Sequence, residues 1–415
     1  MQALIFIGYL LLFSASILRI PFFYKSGIGK INLVAIFLLK IAAGISYALF
    51  YRLPKYYAGA DTWRFYNQSI VEKKWLLSDP IAFVKDLFIY GYHSSGKLFS
   101  GENSFWNDLK SNVLIKILAL MNVITNDSYY TNIIIFNFLF FIGLVALFKV
   151  FLFYFPEKKG MIIIGVFLLP SSLFWCSGIH KDGLILSALG TLIYLFHRCF
   201  TFRFSFKAIF SILFCALVIF SLRNYMLFAL LPALACWYIS TKFSGKTISV
   251  FIAFYVSMVV LSLLFVGLQS SFNPFVILAE KQHEFLQLSG NSSVIKSQLQ
   301  PTIYGIASYF PHALDMAFLR PHLTEVNNLA YIPAIAESFL FFAVILASIF
   351  SKSRNITPRP FTYFLLFFSI SILMICGFTI PLTGAIVRYR SLILPLLITP
   401  FLCNQTWFSY NNNQT

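Results

Sequence analysis

Eleven stretches of this chain are long and apolar enough to cross a lipid bilayer, and that leaves few folds open. A hydrocarbon core about 30 Å thick needs about 20 consecutive apolar residues in a helix. The stretches fall at about 1–20, 31–50, 131–155, 161–177, 183–200, 207–222, 224–241, 247–268, 329–350, 361–380 and 386–403. Lipid offers a free backbone amide no partner, so each stretch must close its own hydrogen bonds. The expected fold is therefore an all-α, polytopic bundle of about 11 transmembrane helices in one integral membrane domain over 1–415. Composition agrees: 59% of the residues are hydrophobic and only 11% are charged, against roughly 25% charged in an ordinary soluble domain. A soluble enzyme, a secreted disulfide scaffold and a disordered chain are excluded.

Two segments, 51–130 and 269–328, are too polar to span and read as long loops on one side. Within them, pieces at 80–90, 111–124 and 274–288 are amphipathic and suit the membrane interface. Charge sets the orientation. The formal net charge is +17. The odd-numbered loops hold 13 basic residues and one acidic residue, the even ones 16 and 12. Basic loops stay cytoplasmic. The expectation is a multi-pass protein of the cytoplasmic membrane with the N-terminus and both long loops outside and the C-terminus inside. Nucleic acid is not an expected partner, because the basic residues lie between apolar runs and not in one patch. The six cysteines lie in or beside apolar runs and read as small buried residues with no redox role. No cleavable signal sequence is expected, since the first apolar run begins at residue 3 with no basic residues ahead of it.

The unusual side chains collect at the outer ends of the helices. The first long loop opens with Gly59-Ala60-Asp61-Thr62-Trp63-Arg64-Phe65-Tyr66. The next outer turn runs from Pro170 through Trp175 and His180 to Lys181-Asp182-Gly183. A third is Leu222-Arg223-Asn224, and the second long loop ends in Arg320-Pro321-His322 with Glu325. The last contains Gly384 and Arg388-Tyr389-Arg390. Each residue also has a plainer reading. Asp61 and Asp182 suit helix N-caps. Trp63, Tyr66 and Trp175 suit an interfacial aromatic belt. Arg223 suits a tight turn, and Arg388 and Arg390 suit snorkelling toward water. His180 and His322 suit polar loops. Within spanning stretches, Glu337 suits a structural ion pair with Lys40 or with an outer arginine.

Taken together they suit a different task. A charge in a membrane helix costs roughly 2.5–3.5 kcal/mol on insertion scales, so such residues usually face a polar cavity or a partner. Arginine forks match phosphate oxygens and lysine adds point charge, so a lipid-linked sugar diphosphate is the expected ligand. Lys181, Arg223, Arg320, His322, Arg388 and Arg390 would hold the diphosphate. Trp63, Tyr66, Trp175 and Glu325 would face the sugar. Glycosyl transfer needs a carboxylate for the acceptor hydroxyl, and Asp61 then Asp182 are the candidates. No metal-ligand spacing is present, so the sequence requires no cofactor, while a divalent metal on the carboxylate stays open.

These same patches resemble bacterial inner-membrane proteins grouped with the O-antigen polymerases, the EpsG-type exopolysaccharide polymerases and the multispanning GT-C glycosyltransferases. The resemblance implies a polyprenyl-diphosphate-linked glycan as substrate. It also implies that outward-facing arginines, here Arg223, Arg320, Arg388 and Arg390, grip the diphosphate. GT-C enzymes carry a paired acidic motif after the first helix. Here Asp61 is alone and follows the second. The expected function is thus a membrane glycosyltransferase or polymerase of cell-surface polysaccharide biosynthesis. A transporter or flippase of lipid-linked glycans and a non-catalytic envelope-complex subunit are the alternatives.

Overall fold

The computed structural model describes residues 1–89, 105–202, 205–243, 245–264, 273–287, 298–325, 331–350 and 359–404. Among these every secondary-structure element is a helix. Among the described residues eight helices are long and apolar enough to cross a membrane: Gln2–Arg19, Lys30–Phe50, Tyr129–Tyr154, Lys181–Thr201, Phe206–Lys242, Thr247–Leu264, Ile332–Phe350 and Pro360–Thr379. Thr383–Ser391 and Leu394–Cys403, bent by 59° at their junction, give a ninth if the pair is one span.

The structure differs from the eleven expected stretches in three places, each with a local description. At 161–177 the helix Lys159–Phe167 stops, and a short helix Pro170–Trp175 follows. Pro170 offers no amide hydrogen and disfavours a helical Leu169. Nine residues of helix reach about 14 Å, half a bilayer core. The stretches 207–222 and 224–241 form one helical run of 37 residues, Phe206–Lys242, interrupted where Arg223 leaves helical geometry (φ −152°, ψ 83°). At 1.5 Å per residue that run measures about 55 Å, nearly two bilayer cores. The break falls at the expected turn. The last stretch begins earlier, at Thr383, and bends at Leu392 and Ile393. The amphipathic pieces are helical, within Pro80–Ile89, Phe105–Thr125 and Pro274–Gln287. Residues 90–104, 269–272, 288–297 and 326–328 of the expected outer loops lie outside the described residues, as do Arg203, Lys352 and Arg354 of the expected cytoplasmic ones.

The chain divides into two compact units, Met1–Phe151 with Leu173–Asn224, and Leu152–Ser172 with Tyr225–Thr415. In the first, the Tyr129–Tyr154 helix is central. Its apolar residues run all round, as a buried helix requires, and Phe136, Phe140, Phe141, Phe148 and Phe151 are fully buried. It meets Lys181–Thr201 backbone to backbone: a Cβ on Gly143 would lie 2.2 Å from the Ser187 Cα, and one on Gly190 2.3 Å from the Gly143 carbonyl oxygen. Small residues allow this in a membrane, where packing replaces the hydrophobic driving force.

Against this core lies a polar layer in which Asp61–Ser78 packs along Phe105–Thr125. Several of its buried polar groups pair with one another, as a dry interior favours. Asn122 donates to Ser69 Oγ (2.8 Å), and Asn132 donates to Asn122 Oδ1 (2.6 Å). Thr125 donates to Asn132 Oδ1 (2.8 Å). Lys116 is buried between Glu72 (2.9 Å) and Asp86 (3.0 Å), over the rings of Trp75 and Phe83. Asn126 and Asp127 turn the chain into the next helix with positive φ (51° and 56°), which Asn and Asp tolerate better than most residues.

In the second unit, Leu169, Ala317, Phe341, Val344, Leu373, Leu394, Leu397 and Ile398 form one apolar cluster. The helix Lys159–Phe167 packs on Leu394–Cys403. Gly165 admits the Thr399 side chain there: a Cβ would stand 2.2 Å from its Oγ1. Trp237 stacks on Phe364 (4.8 Å between centroids), and Tyr154 stacks on Phe361 (4.5 Å).

Candidate functional site

The first unit brings four charged side chains and one imidazole into a line. Asp61 opens the Asp61–Ser78 helix, and its side chain is 37% exposed. Arg64, one helical turn on, donates to Asp61 Oδ1 at 2.8 Å from the solvent side. Behind the other oxygen, His180 Nε2 stands 3.4 Å from Asp61 Oδ2. His180 is the N-cap of Lys181–Thr201 and only 2% exposed. Its Nδ1 lies 3.2 Å from Asp182 Oδ2 and 3.4 Å from the Asp182 backbone nitrogen. Asp182 is fully buried, and its Oδ1 accepts from Arg223. The helix break puts Arg223 at the end of the line. The order Arg64, Asp61, His180, Asp182, Arg223 runs from a partly exposed carboxylate to a buried ion pair.

Local structure explains why the line forms here. The stretch 176–180 between two helices must satisfy its backbone groups inside the protein. Lys40, buried in a spanning helix, donates to the Cys176 carbonyl (2.8 Å) and to Ser177 Oγ (2.9 Å). Asn137 donates to the Ser177 carbonyl (2.8 Å). Gly178 passes so close to Tyr47 that a Cβ would stand 2.2 Å from its ring. This segment delivers His180 to Asp61, 119 residues away in sequence. Lys181, half-buried, turns instead to Ser111 Oγ (3.0 Å) and over the Phe65 ring.

The aromatic candidates divide. Trp63 is buried, stacked on Tyr129 (4.2 Å between centroids), with its indole donating to the Ala48 carbonyl. Tyr66 donates to the Asp127 carbonyl (2.5 Å), and burial, with the Asp127 charge beside it, pushes its phenol up. Both are held by packing. Trp175 remains partly exposed against Tyr47 and Tyr51.

The second unit holds a separate cluster. A π-helical turn, Asp315–Leu319, precedes Arg320. The Asp315 carboxylate accepts from Arg320 Nε (2.8 Å) and faces His322 Nε2 (2.7 Å). Glu325 accepts from Arg320 and from the His322 backbone nitrogen. Burial works to raise the Asp315 carboxyl, but the hydrogen bonds and charges of Arg320 and His322 outweigh it and hold it below the usual carboxylate range. Arg320 thus stands between two carboxylates, and Glu325 serves it. Arg390 is buried and donates to the Arg320 carbonyl (3.1 Å) and to Ser338 Oγ (2.9 Å). Arg388 is half-buried in the same helix. Glu337, buried, accepts from the Ser171 backbone amide (2.9 Å).

Two participants carry no pairing signal in the sequence. His180 lies in a motif of interest, but no spacing ties it to Asp61. Asp315 is marked only by preceding Arg320 by five residues. Among the described residues no group of three His, Cys, Asp or Glu side chains is gathered for a metal ion. The chain matches no family model, no curated protein and no solved structure.

Proposed function

We propose that the protein is a membrane glycosyltransferase or polymerase that acts on polyprenyl-diphosphate-linked sugars at the outer face of the cytoplasmic membrane, in cell-surface polysaccharide biosynthesis. The observation that carries this reading is the Asp61–His180–Asp182–Arg223 line. Its one partly exposed carboxylate is positioned by a buried imidazole at the mouth of spanning helices. In this reading Asp61 takes the proton of the acceptor hydroxyl. General-base catalysis of this kind contributes about 10²–10⁴-fold. Lys181 is the diphosphate-binding candidate of the first unit, and Arg388 with His322 those of the second. Arg223, Arg320 and Arg390 act from inside, by fixing the carboxylates and carbonyls around them. Trp175 is the sugar-facing aromatic. The topology proposed has eleven crossings, with Phe206–Lys242 counted as two, the broken 159–175 stretch as one and the bent pair as one. The N-terminus is outside and the C-terminus cytoplasmic.

A transporter of the same lipids is the second reading, favoured by the interrupted helices, since transporters place broken helices at their binding sites. One experiment separates the two. Asp61→Asn is placed in cells that assemble envelope glycan, at matched membrane abundance. Chain assembly and the leaflet that holds the lipid-linked donor are then measured. A transferase loses assembly by about 100-fold or more, with donor accumulating in the outer leaflet. Donor accumulating in the inner leaflet overturns transfer in favour of transport. Full assembly overturns both.

A further inference from the structure

The His180 ring is placed so that either proton arrangement on either nitrogen meets a partner without any side chain moving. With a proton on Nδ1, the ring faces Asp182 Oδ2 at 3.2 Å; without one, it accepts the Asp182 backbone N–H at 3.4 Å. With a proton on Nε2, it donates to Asp61 Oδ2 at 3.4 Å; without one, it faces the same oxygen ready to accept from a protonated carboxyl. A purely structural histidine is normally fixed in one tautomer by the hydrogen bond of its other nitrogen. This ring meets a different Asp182 atom for each state of Nδ1, and one Asp61 oxygen for both states of Nε2.

We propose that His180 is the proton store of the Asp61 site, taking up the proton that Asp61 removes from an outside hydroxyl. The proton leaves the hydroxyl oxygen, whose bonding pair stays behind, and joins a lone pair on Asp61. Asp61 Oδ2 passes it to His180 Nε2, while a proton on Nδ1 faces Asp182 Oδ2. The transfer leaves Asp61 ionised again. Asp182 does not take the proton further, because neutralising it would leave the buried Arg223 guanidinium without its carboxylate. His180 is buried and reaches the hydroxyl only through Asp61, which makes it a positioning residue. On product release the proton returns by the same path to water.

The charged groups around the ring set the expected signs. Asp61 and Arg64 face it from the Asp61–Ser78 helix. Asp182 and Lys181 belong to its own helix, with Lys181 held toward Ser111. Arg223 stands behind Asp182. Phe65 packs beside the ring (6.4 Å between centroids), and Lys40 lies over the Phe140 ring that meets Gly183. Removing Asp61 therefore weakens the hold of His180 on its second proton, and removing Arg64 strengthens it.

Only the identity of the hydroxyl rests on the transferase reading; the relay itself is tested without substrate. The full chain, labelled with ¹⁵N-histidine and held in lipid nanodiscs, is titrated between about pH 5 and 8, where histidine ordinarily changes charge. The ring-nitrogen signals are followed by NMR. The chain has six histidines; His180→Gln assigns the relevant pair, and His322, paired with Asp315, serves as internal control. Asp61→Asn is expected to lower the proton affinity of His180 about tenfold, and Arg64→Gln to raise it by a smaller factor. Arg64 is 60% exposed, so its replacement carries little folding risk. A His180 signal held in one tautomer across the range, or one that neither replacement shifts in its stated direction, overturns the relay. Either result leaves the transferase reading to its own test.

Discussion

Removing either partner of the Asp182–Arg223 pair is expected to destabilise the first unit, and removing both should cost less than the two single losses added together. The Asp182 side chain has no exposure and that of Arg223 only 8%, so neither charge can be rescued by water. Breaking a buried pair by deleting one partner costs about 3–5 kcal/mol, because the other charge stays behind. Arg223→Gln leaves Asp182 with His180 Nδ1 at 3.2 Å, so its cost should lie near the lower end. Asp182→Asn removes the carboxylate from both Arg223 and His180, so its cost should lie near the upper end. The double replacement leaves two neutral amides that can pair with each other. Its cost should fall short of the summed singles by at least about 2 kcal/mol. The measurement is a double-mutant cycle on unfolding in mixed micelles, followed by loss of the monodisperse species. If the double cost equals the sum of the singles to within about 0.5 kcal/mol, the pair is not coupled and the buried end of the line does not exist.

Three further outcomes follow from the packing and from the second cluster. Gly143→Leu should separate the Tyr129–Tyr154 and Lys181–Thr201 helices and abolish folding, since even a Cβ there lies 2.2 Å from backbone. Gly160→Ala, with nothing within 4 Å of its Cβ, should stabilise by about 0.5–1 kcal/mol; thermal midpoints of the two variants check both. The Asp315 carboxyl is held low in the folded state, so its contribution is present above the ordinary carboxylate value of about 4. It is lost as pH falls through the lowered one, because the unfolded chain binds the proton first. Midpoints measured down the acid range should therefore fall more steeply for the native chain than for Asp315→Asn.

The spanning architecture is written in the sequence because hydropathy is a local property, and a helix that is apolar all round needs no partner to reveal itself. The turn at Arg223 is equally legible, since one charge between two apolar runs has few other readings. The broken 159–175 stretch is not, because Phe167, Leu168 and Leu169 run straight into Pro170 and their hydropathy hides what the proline does to the backbone. Nor does hydropathy separate Leu392 and Ile393, where the last pair of helices bends, from the apolar run that follows them.

The site is legible in kind but not in pairing. Asp61, Asp182 and Arg223 stand out as charges beside apolar helices, yet only the fold brings His180 between the two carboxylates. Side-chain types alone pair Glu337 with Lys40 or an outer arginine. The Arg390 charge does act on Glu337, while its hydrogen bond comes from the backbone of Ser171, 166 residues away, and a backbone amide leaves no trace in side-chain identity. Trp63 and Tyr66 carry the residue types of a sugar platform, but the same rings fill a core. Which of these they do depends on Tyr129 and Asp127 lying against them.

The Lys40 ammonium also imposes an order on assembly. It enters the bilayer with the second spanning helix, at a cost of roughly 2.5–3.5 kcal/mol on insertion scales. The carbonyl and hydroxyl that receive it belong to Cys176 and Ser177, the first of them 136 residues later in synthesis. Until that segment emerges, the N-terminal helices carry a charge whose acceptors have not yet been made. The early helices therefore wait for the middle of the chain, and the segment that seats His180 is also the one that completes them.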